Sequence, residues 1–441
     1  MKVEPLKKAA YHGAPGVWVT GYGCVSAMGP DVDSTWRGIL EGKSTRRALT
    51  AIPVEGCRVT EGAEVEMTGL VSAKPGSRKP TRASVLLQAC AREALGVAGL
   101  LDAQGRCRLE QVQLCASTTA CGMEAGERFL RSIWESRNRG RTALVASHQA
   151  QQQIRDLHRA LGFSGPVMIV ANACASGANA IGHAFDLIRC GMAEIVFATG
   201  YDALCELVFT GFDGLQALSP DLCRPFDRRR NGLMLGEGAA FLVLESETHA
   251  RQRGVPAHGV VLGYGHSTDL GHLTQPEAEG KPLIAAMHDA LARAGLRADQ
   301  IGYINAHGTG TPLNDGAEGR AIEAVFAGTS ARLSSTKAAL GHTLGAAGAI
   351  EAVLCLQTLK TGGLPPQINL GSPEETVADR LVALGEKRHI RHALSLNLGF
   401  GGSAAAIVFG SVENDAPPNE GASFQSGQEM DKAAVCSLRS G

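Results

Sequence analysis

The chain has 441 residues, 44% of them hydrophobic and 19% charged, with a formal net charge of −1. That balance gives nucleic-acid binding no support, and the apolar share is enough for a large core, in two or three ordinary domains or one large α/β unit. Fifty-five glycines against 5% aromatics point to close backbone packing and tight turns rather than aromatic-lined surfaces.

Residues 1–15 read as an N-terminal extension, because MKVEPLKKAAYHGAPG has no apolar signal core. VWVTG (17–21) predicts a first strand, followed by a turn through GYGCVSAMGP. Gly21 and Gly23 begin a dinucleotide-type fingerprint, but the third glycine is missing from its place. RASVLLQACAREALGVAGL (82–100) is apolar at three- and four-residue spacing and predicts a helix. VQLCAST and PVMIVAN read as buried strands, GANAIGHAFDLIRCG as a helix closed by Gly191, and EIVFATG and AAFLVLES as further strands.

From 258 a similar programme starts again, with strand GVVLGYG, helix PLIAAMHDALARAGL, and strand and loop IGYINAHGTGT. Helices GAEGRAIEAVFAG and GAAGAIEAVLCLQTLKTG follow, then strands HALSLNLGFGG and AAAIVFG. The expectation is two similar α/β halves, 16–257 and 258–410, sharing a core. Residues 411–441 are polar, rich in Pro, Gly and Ser, and read as a disordered tail. No stretch reaches about 18 uninterrupted apolar residues, so no membrane span is expected. The twelve cysteines include no CxxC pair, which speaks against a zinc ribbon or a thioredoxin-type motif, and the expected compartment is the reducing cytoplasm.

Four stretches carry chemistry-bearing residues. In ANACASGANA (171–180) Cys174 stands where a strand gives way to a helix, so helix amides would favour its thiolate; on this stretch alone the stronger reading is a buried filler cysteine. In INAHGTGTPLND (304–315) His307 ends an apolar strand before a glycine- and threonine-rich loop, either lining a crevice or serving as a structural histidine. In SSTKAALGHTLGAAGAIEAV (334–353) Lys337 and His342 are five apart and do not share a helical face, with Lys337 expected in a loop or at the surface and His342 at the start of the next helix. In NLGFGGSAAAIVF (397–409) Phe400 sits in a glycine-rich turn between strands; no GK[ST] follows, which sets a phosphate loop aside.

Taken in this order and at these separations, NACASG, NAHGTGTP, SSTKAALGHTLGAAG and NLGFGG resemble the β-ketoacyl-acyl-carrier-protein synthases, nearest the elongating type II condensing enzymes. The likeness runs from VTGYGCVSAMG at 19 to AAAIVFG at 410 and includes CRPFDRRRNGLMLGEGAAFLVLE (223–245). It implies a thiolase-like α/β fold, two similar halves in a five-layer αβαβα sandwich. It implies an acyltransferase that joins an enzyme-bound acyl chain to malonyl carried on acyl carrier protein. No cofactor or metal is implied, since substrates ride on the carrier's phosphopantetheine. The implied partners are acyl carrier protein and a second subunit, either another copy or a chain-length-factor-like homologue.

Carried over residue by residue, the resemblance makes Cys174 the nucleophile, His307 and His342 the groups that bind the malonyl thioester carbonyl, and Lys337 an electrostatic support. Backbone N–H groups of Cys174 and Phe400 would form an oxyanion hole, with Phe400 also a gate. Glu318, Asp269 and His272 would support the site; Thr309 and Thr311 would hold the phosphopantetheine arm, and Phe212 and Thr119 would face the substrate. Gln216 departs from an arginine often found in elongating fatty acid enzymes, and Arg78, Lys79 and Arg82 stand as a basic cluster for an acidic carrier. CASTTACGMEAG (115–126) also departs from the expected pocket pattern, so aryl polyenes or polyketides weigh equally with fatty acids as products. A degenerate partner subunit would lack the nucleophile, a thiolase would need a cysteine in NLGFGG, and an initiating enzyme would replace His342 with Asn.

Overall fold

Short runs that are apolar on both faces make strands that must be covered on both sides. Ten of them pair into one hydrogen-bonded sheet in the computed structural model, which describes residues 15–70, 79–136 and 142–412. Most of the N-terminal extension, Arg78, Cys436 and nearly all of the tail lie outside the described residues.

The strands are β1 (Val17–Ser26), β2 (Gln113–Ser117), β3 (Val167–Val170), β4 (Ile195–Asp202) and β5 (Gly238–Ser246) in the first half of the chain. The second half holds β6 (Gly259–Thr268), β7 (Tyr303–Asn305), β8 (Arg332–Ser334), β9 (His392–Gly399) and β10 (Ser403–Gly410). Their order across the sheet is β3-β2-β4-β5-β1-β6-β10-β9-β7-β8. Counted within each half, both sets of five therefore lie third, second, fourth, fifth, first. The second strand of each half pairs parallel with the third and fourth, and the fifth pairs antiparallel with the fourth and first. The halves meet where β1 pairs antiparallel with β6, Val17 opposite Val261.

Six helices form the layers, α1 (Arg82–Val97), α2 (Ala150–Leu161), α3 (Ser176–Arg189), α5 (Lys281–Ala294), α6 (Pro312–Phe326) and α7 (Ala347–Thr361), while α4 (Glu206–Gly214) lies in the connection after β4. α1 and α2 cover one outer face, α5 and α6 the other, and α3 and α7 fill the space between the two half-sheets. That is the five-layer α/β arrangement of the thiolase-like fold. The strands show how it is encoded. Along β5, Ala240, Leu242 and Leu244 point to the central helices while Ala239, Phe241 and Val243 point to α1 and α2. Along β10, Ala405, Ile407 and Phe409 face the centre and Ala404, Ala406 and Val408 the outer C-terminal layer. α7 has no polar stripe at all: Ala347 through Leu359 are buried, as a helix between two sheets requires. Each large side chain buried this way contributes about 1.5–3 kcal/mol.

Two expectations change. β1 does not turn at Gly21 but runs to Ser26. Its glycines mark a close approach rather than a turn, since a Cβ on Gly21 or Gly23 would lie 2.3 Å from Ala94 O or 2.2 Å from Cys90 O of α1. β3 is apolar but not fully buried; it is the last strand of the sheet, and Val167 and Met168 are 39% and 41% exposed. All eleven cysteines among the described residues are free, and no helix there is long and apolar enough to cross a membrane.

The parallel strands of both halves end in the turns that carry the residues singled out above. Thr119 follows β2, Cys174 follows β3, His307 follows β7, Lys337 follows β8 and Phe400 follows β9. In α/β sheets the crevice outside such carboxyl ends is where ligands bind.

Candidate active site

After β3 the chain makes a 3-10 turn over Ala173–Ala175 that runs straight into α3, so Cys174 heads a helix of 14 residues. Cys174 is 7% exposed and opens onto a pocket of about 420 Å³. Burial pushes its thiol up to about 12, with Lys337 pulling the other way and Asp202 and Glu351 adding to the rise. The resting group is a thiol, held where helix amides meet the charge that forms when its proton leaves.

His307 and His342 line the same pocket, 3% and 2% exposed, their rings edge to face at 5.4 Å between centroids. Burial first, and the Lys337 ammonium second, hold both imidazoles well below the usual histidine range, so both are neutral. Glu318 fixes the His307 loop through the backbone: its carboxylate accepts from His307 N at 2.6 Å and Gly308 N at 2.7 Å. Burial pushes the Glu318 carboxyl up to about 8 against those two donors. His342 does not start a helix. It lies in an extended link whose N–H donates to Met234 O at 2.6 Å and whose carbonyl accepts from Gly236 N at 3.0 Å.

Lys337 is neither in a loop nor at the surface. It opens a four-residue helix, Lys337–Leu340, and its side chain is 2% exposed. The ammonium pairs with Glu351 of α7, whose other oxygen accepts from Asn397 Nδ2 at 2.6 Å. Burial raises the Glu351 carboxyl and Lys337 opposes the rise. Lys337 is absent from the pocket wall, so its influence on the histidines is through its charge.

Across the pocket, Phe400 is 43% exposed and stacks on Phe212 of α4 at 5.9 Å. The Phe400 turn leans on the loop from Asp269: Asp269 N donates to Gly402 O and Gly401 N to Leu273 O, both at 2.7 Å. Asp269 shapes that loop by accepting from Gly271 N and Glu277 N, and His272 Nδ1 accepts from Thr274 N and Gln275 N. Gly402 has φ +85, and a Cβ there would sit 1.9 Å from Asp269 O. Gly402→Ala is therefore expected to displace the Phe400 turn at a cost of about 1–3 kcal/mol and to lower turnover with the circular-dichroism spectrum kept; unchanged turnover would show that the turn tolerates the shift. Thr309 and Thr311 line the pocket, their hydroxyls 2.9 Å apart.

Two assignments are corrected. Thr119 is exposed and does not line the pocket; its hydroxyl instead donates to Ala173 O, beside Cys174, at 3.3 Å. Arg82 is no free docking cation, because its guanidinium is held by the fully buried Glu237 carboxylate. Lys79 is exposed, and Gln216 lies on the pocket wall. The sequence reading missed Glu351 and Asp202. Their signal is a lone carboxylate inside an otherwise apolar run, AGAIEAVLCL or IVFATGYD, which burial leaves in need of partners.

The chain is similar to known proteins over most of its length. The profile of the beta-ketoacyl synthase N-terminal domain matches residues 14–250, and that of the C-terminal domain residues 258–371. The chain is 35% identical over 410 residues to nodulation protein E of Rhizobium meliloti (strain 1021), covering 90% of this chain and 99% of that protein. It is 34% identical over 419 residues to 3-oxoacyl-[acyl-carrier-protein] synthase 2 of the same strain, covering 89% and 98%. Among solved structures it is similar to the ishigamide ketosynthase/chain length factor, with a TM-score of 0.83 at 30% identity over 91% of this chain and 100% of that one.

Proposed function

Since this chain belongs to the beta-ketoacyl synthase family and is a condensing acyltransferase of fatty acid or polyketide synthesis, we propose that Cys174 carries the growing acyl chain and that His307 and His342 activate the extender. The observation that carries the assignment is the convergence of a helix-heading thiol, two neutral imidazoles and a half-exposed aromatic on one pocket.

The steps follow from that arrangement. Cys174 sulfur attacks the carbonyl of an acyl-carrier thioester; the carrier thiolate leaves and takes up the proton given by Cys174. Malonyl thioester then enters, and its carboxylate leaves as CO₂ while the electron pair of the broken C–C bond passes into an enolate. Neutral His307 and His342 each offer one N–H to the developing oxyanion, and the Lys337 charge close by favours the same negative charge. The enolate carbon attacks the Cys174 thioester, and the Cys174 thiolate leaves and is reprotonated, giving β-ketoacyl-acyl-carrier protein. Backbone N–H groups of Cys174 and Phe400 serve the oxyanion of both acyl transfers. In support, Gly399 abuts the nucleophile turn, where an added Cβ would lie 3.3 Å from Cys174 N.

Acyl carrier protein is the substrate donor, as the name of the 3-oxoacyl synthase relative indicates, and Thr309 and Thr311 would hold its phosphopantetheine. The second subunit pairs along β3, the exposed sheet edge, as a further copy or a chain-length-factor-like homologue. The free cysteines support a reducing cytoplasmic setting. Similarity to a nodulation protein and to the ishigamide enzyme supports a specialised chain over a housekeeping one. A condensation assay with saturated, unsaturated and aryl-primed acyl-carrier proteins tests this: unsaturated or aryl chains should be extended at least about tenfold faster than saturated chains of equal length, a discrimination of about 1.4 kcal/mol. Preference for saturated chains would assign it to ordinary fatty acid elongation.

A further inference from the structure

Cys121 at φ +47, Ala173 at +57 and Leu344 at +53 adopt left-handed backbone although each carries a side chain. Such residues persist only where their surroundings hold them. All three segments are tied to Asp202, the last residue of β4, which is fully buried. Its Oδ1 accepts from Thr118 Oγ1 and from Ala120 N, both at 2.7 Å. Its Oδ2 accepts from Thr119 N at 2.8 Å and from Gly345 N at 2.7 Å. The links continue outward. Thr118 Oγ1 accepts from Cys121 N at 2.8 Å, and Thr119 Oγ1 donates to Ala173 O at 3.3 Å, next to Cys174. Gly345 directly follows Leu344 and stands three residues beyond His342, and its carbonyl accepts from Ser117 Oγ at 3.0 Å.

We propose that Asp202 is a positioning residue that sets the placement of Cys174 relative to His342, by fastening the nucleophile turn and the turn after His342 to one carboxylate. It rests on the reading of Cys174 and His342 given above. Asp202 does not line the pocket and takes no part in the chemistry itself. Its two oxygens meet four donors from two different halves of the fold. An asparagine there would offer a single oxygen and turn its own NH₂ against backbone N–H groups.

The test is Asp202→Asn in the full chain, with two readouts. One is the rate at which iodoacetamide alkylates Cys174, followed by intact-protein mass spectrometry; the other is kcat and KM for condensation. With the circular-dichroism spectrum retained, kcat should fall at least about tenfold with KM within about threefold, and alkylation should slow by about fivefold or more, as sub-ångström displacement of a reacting group predicts. A folded Asp202→Asn enzyme with wild-type kcat and alkylation overturns the proposal. If that variant does not fold, Thr119→Val removes only the hydroxyl link to Ala173; alkylation about threefold slower or more supports the proposal, and an unchanged rate overturns it. Alkylation needs no condensing activity, so failure of the wild-type enzyme to condense at all would indict the functional reading instead.

Discussion

Cys174→Ala is expected to abolish acyl-enzyme formation. After incubation with acyl-carrier protein, the wild-type chain should gain the mass of the acyl group and the variant should gain none. Condensation should drop by at least about 10³-fold, because the remaining groups supply binding and oxyanion stabilisation but no nucleophile. The alanine keeps the fold, since Cys174 lies in a turn of small residues. A companion, Cys174→Gln, should leave malonyl decarboxylation running, because His307, His342 and Lys337 are untouched. If Cys174→Ala still acylates and condenses, another group is the nucleophile.

The second large effect falls on stability. Glu351→Ala removes the partner of a fully buried ammonium, and the Asn397 amide loses its acceptor too. Breaking a buried ion pair by deleting one member costs about 3–5 kcal/mol, most of it the penalty of leaving the other charge unpaired. A fall of several degrees in the thermal midpoint is expected, together with lower turnover as Lys337 loses its fixed place beside the histidines. Glu351→Gln keeps an oxygen for Asn397 and should lie between wild type and alanine. A Glu351→Ala protein with the melting curve and turnover of the wild type would show that Lys337 is not anchored by this pair.

These two residues also show what could be read before the fold was in hand. Cys174, His307, His342, Lys337 and Phe400 sit in stretches crowded with glycine, alanine and threonine, where a lone larger side chain stands out. Glu351 is separated from Lys337 by fourteen residues, inside a run that is buried from Ala347 to Leu359, so only the packing of α7 against the Lys337 turn brings them together. Asp202 ends an apolar strand, and its donors come from segments 82 and 143 residues away. The strand–helix alternation made the two α/β halves legible, because period-2 and three-to-four spacing are local properties. The edge position of β3 was not, since an apolar run reads alike at the centre and the margin of a sheet. Nor was the length of β1, where glycine signals equally a turn and a close helix. Thr119 was misplaced for a related reason: its loop is shaped by a carboxylate from another strand.

The repeated strand order has one more implication. The halves are copies in topology, so their turns correspond: the one after β2 answers to that after β7, β3 to β8, and β4 to β9. Yet the occupants differ completely. By position along the repeat, Thr119 corresponds to His307, Cys174 to Lys337, and Asp202, at the very end of β4, to Phe400 just past β9. On the roles proposed above, a doubled frame has become a division of labour in which one copy holds the electrophile's carrier and the other generates the carbon nucleophile. Copying the turns of one half onto the other would leave a molecule with two of one tool and none of the other.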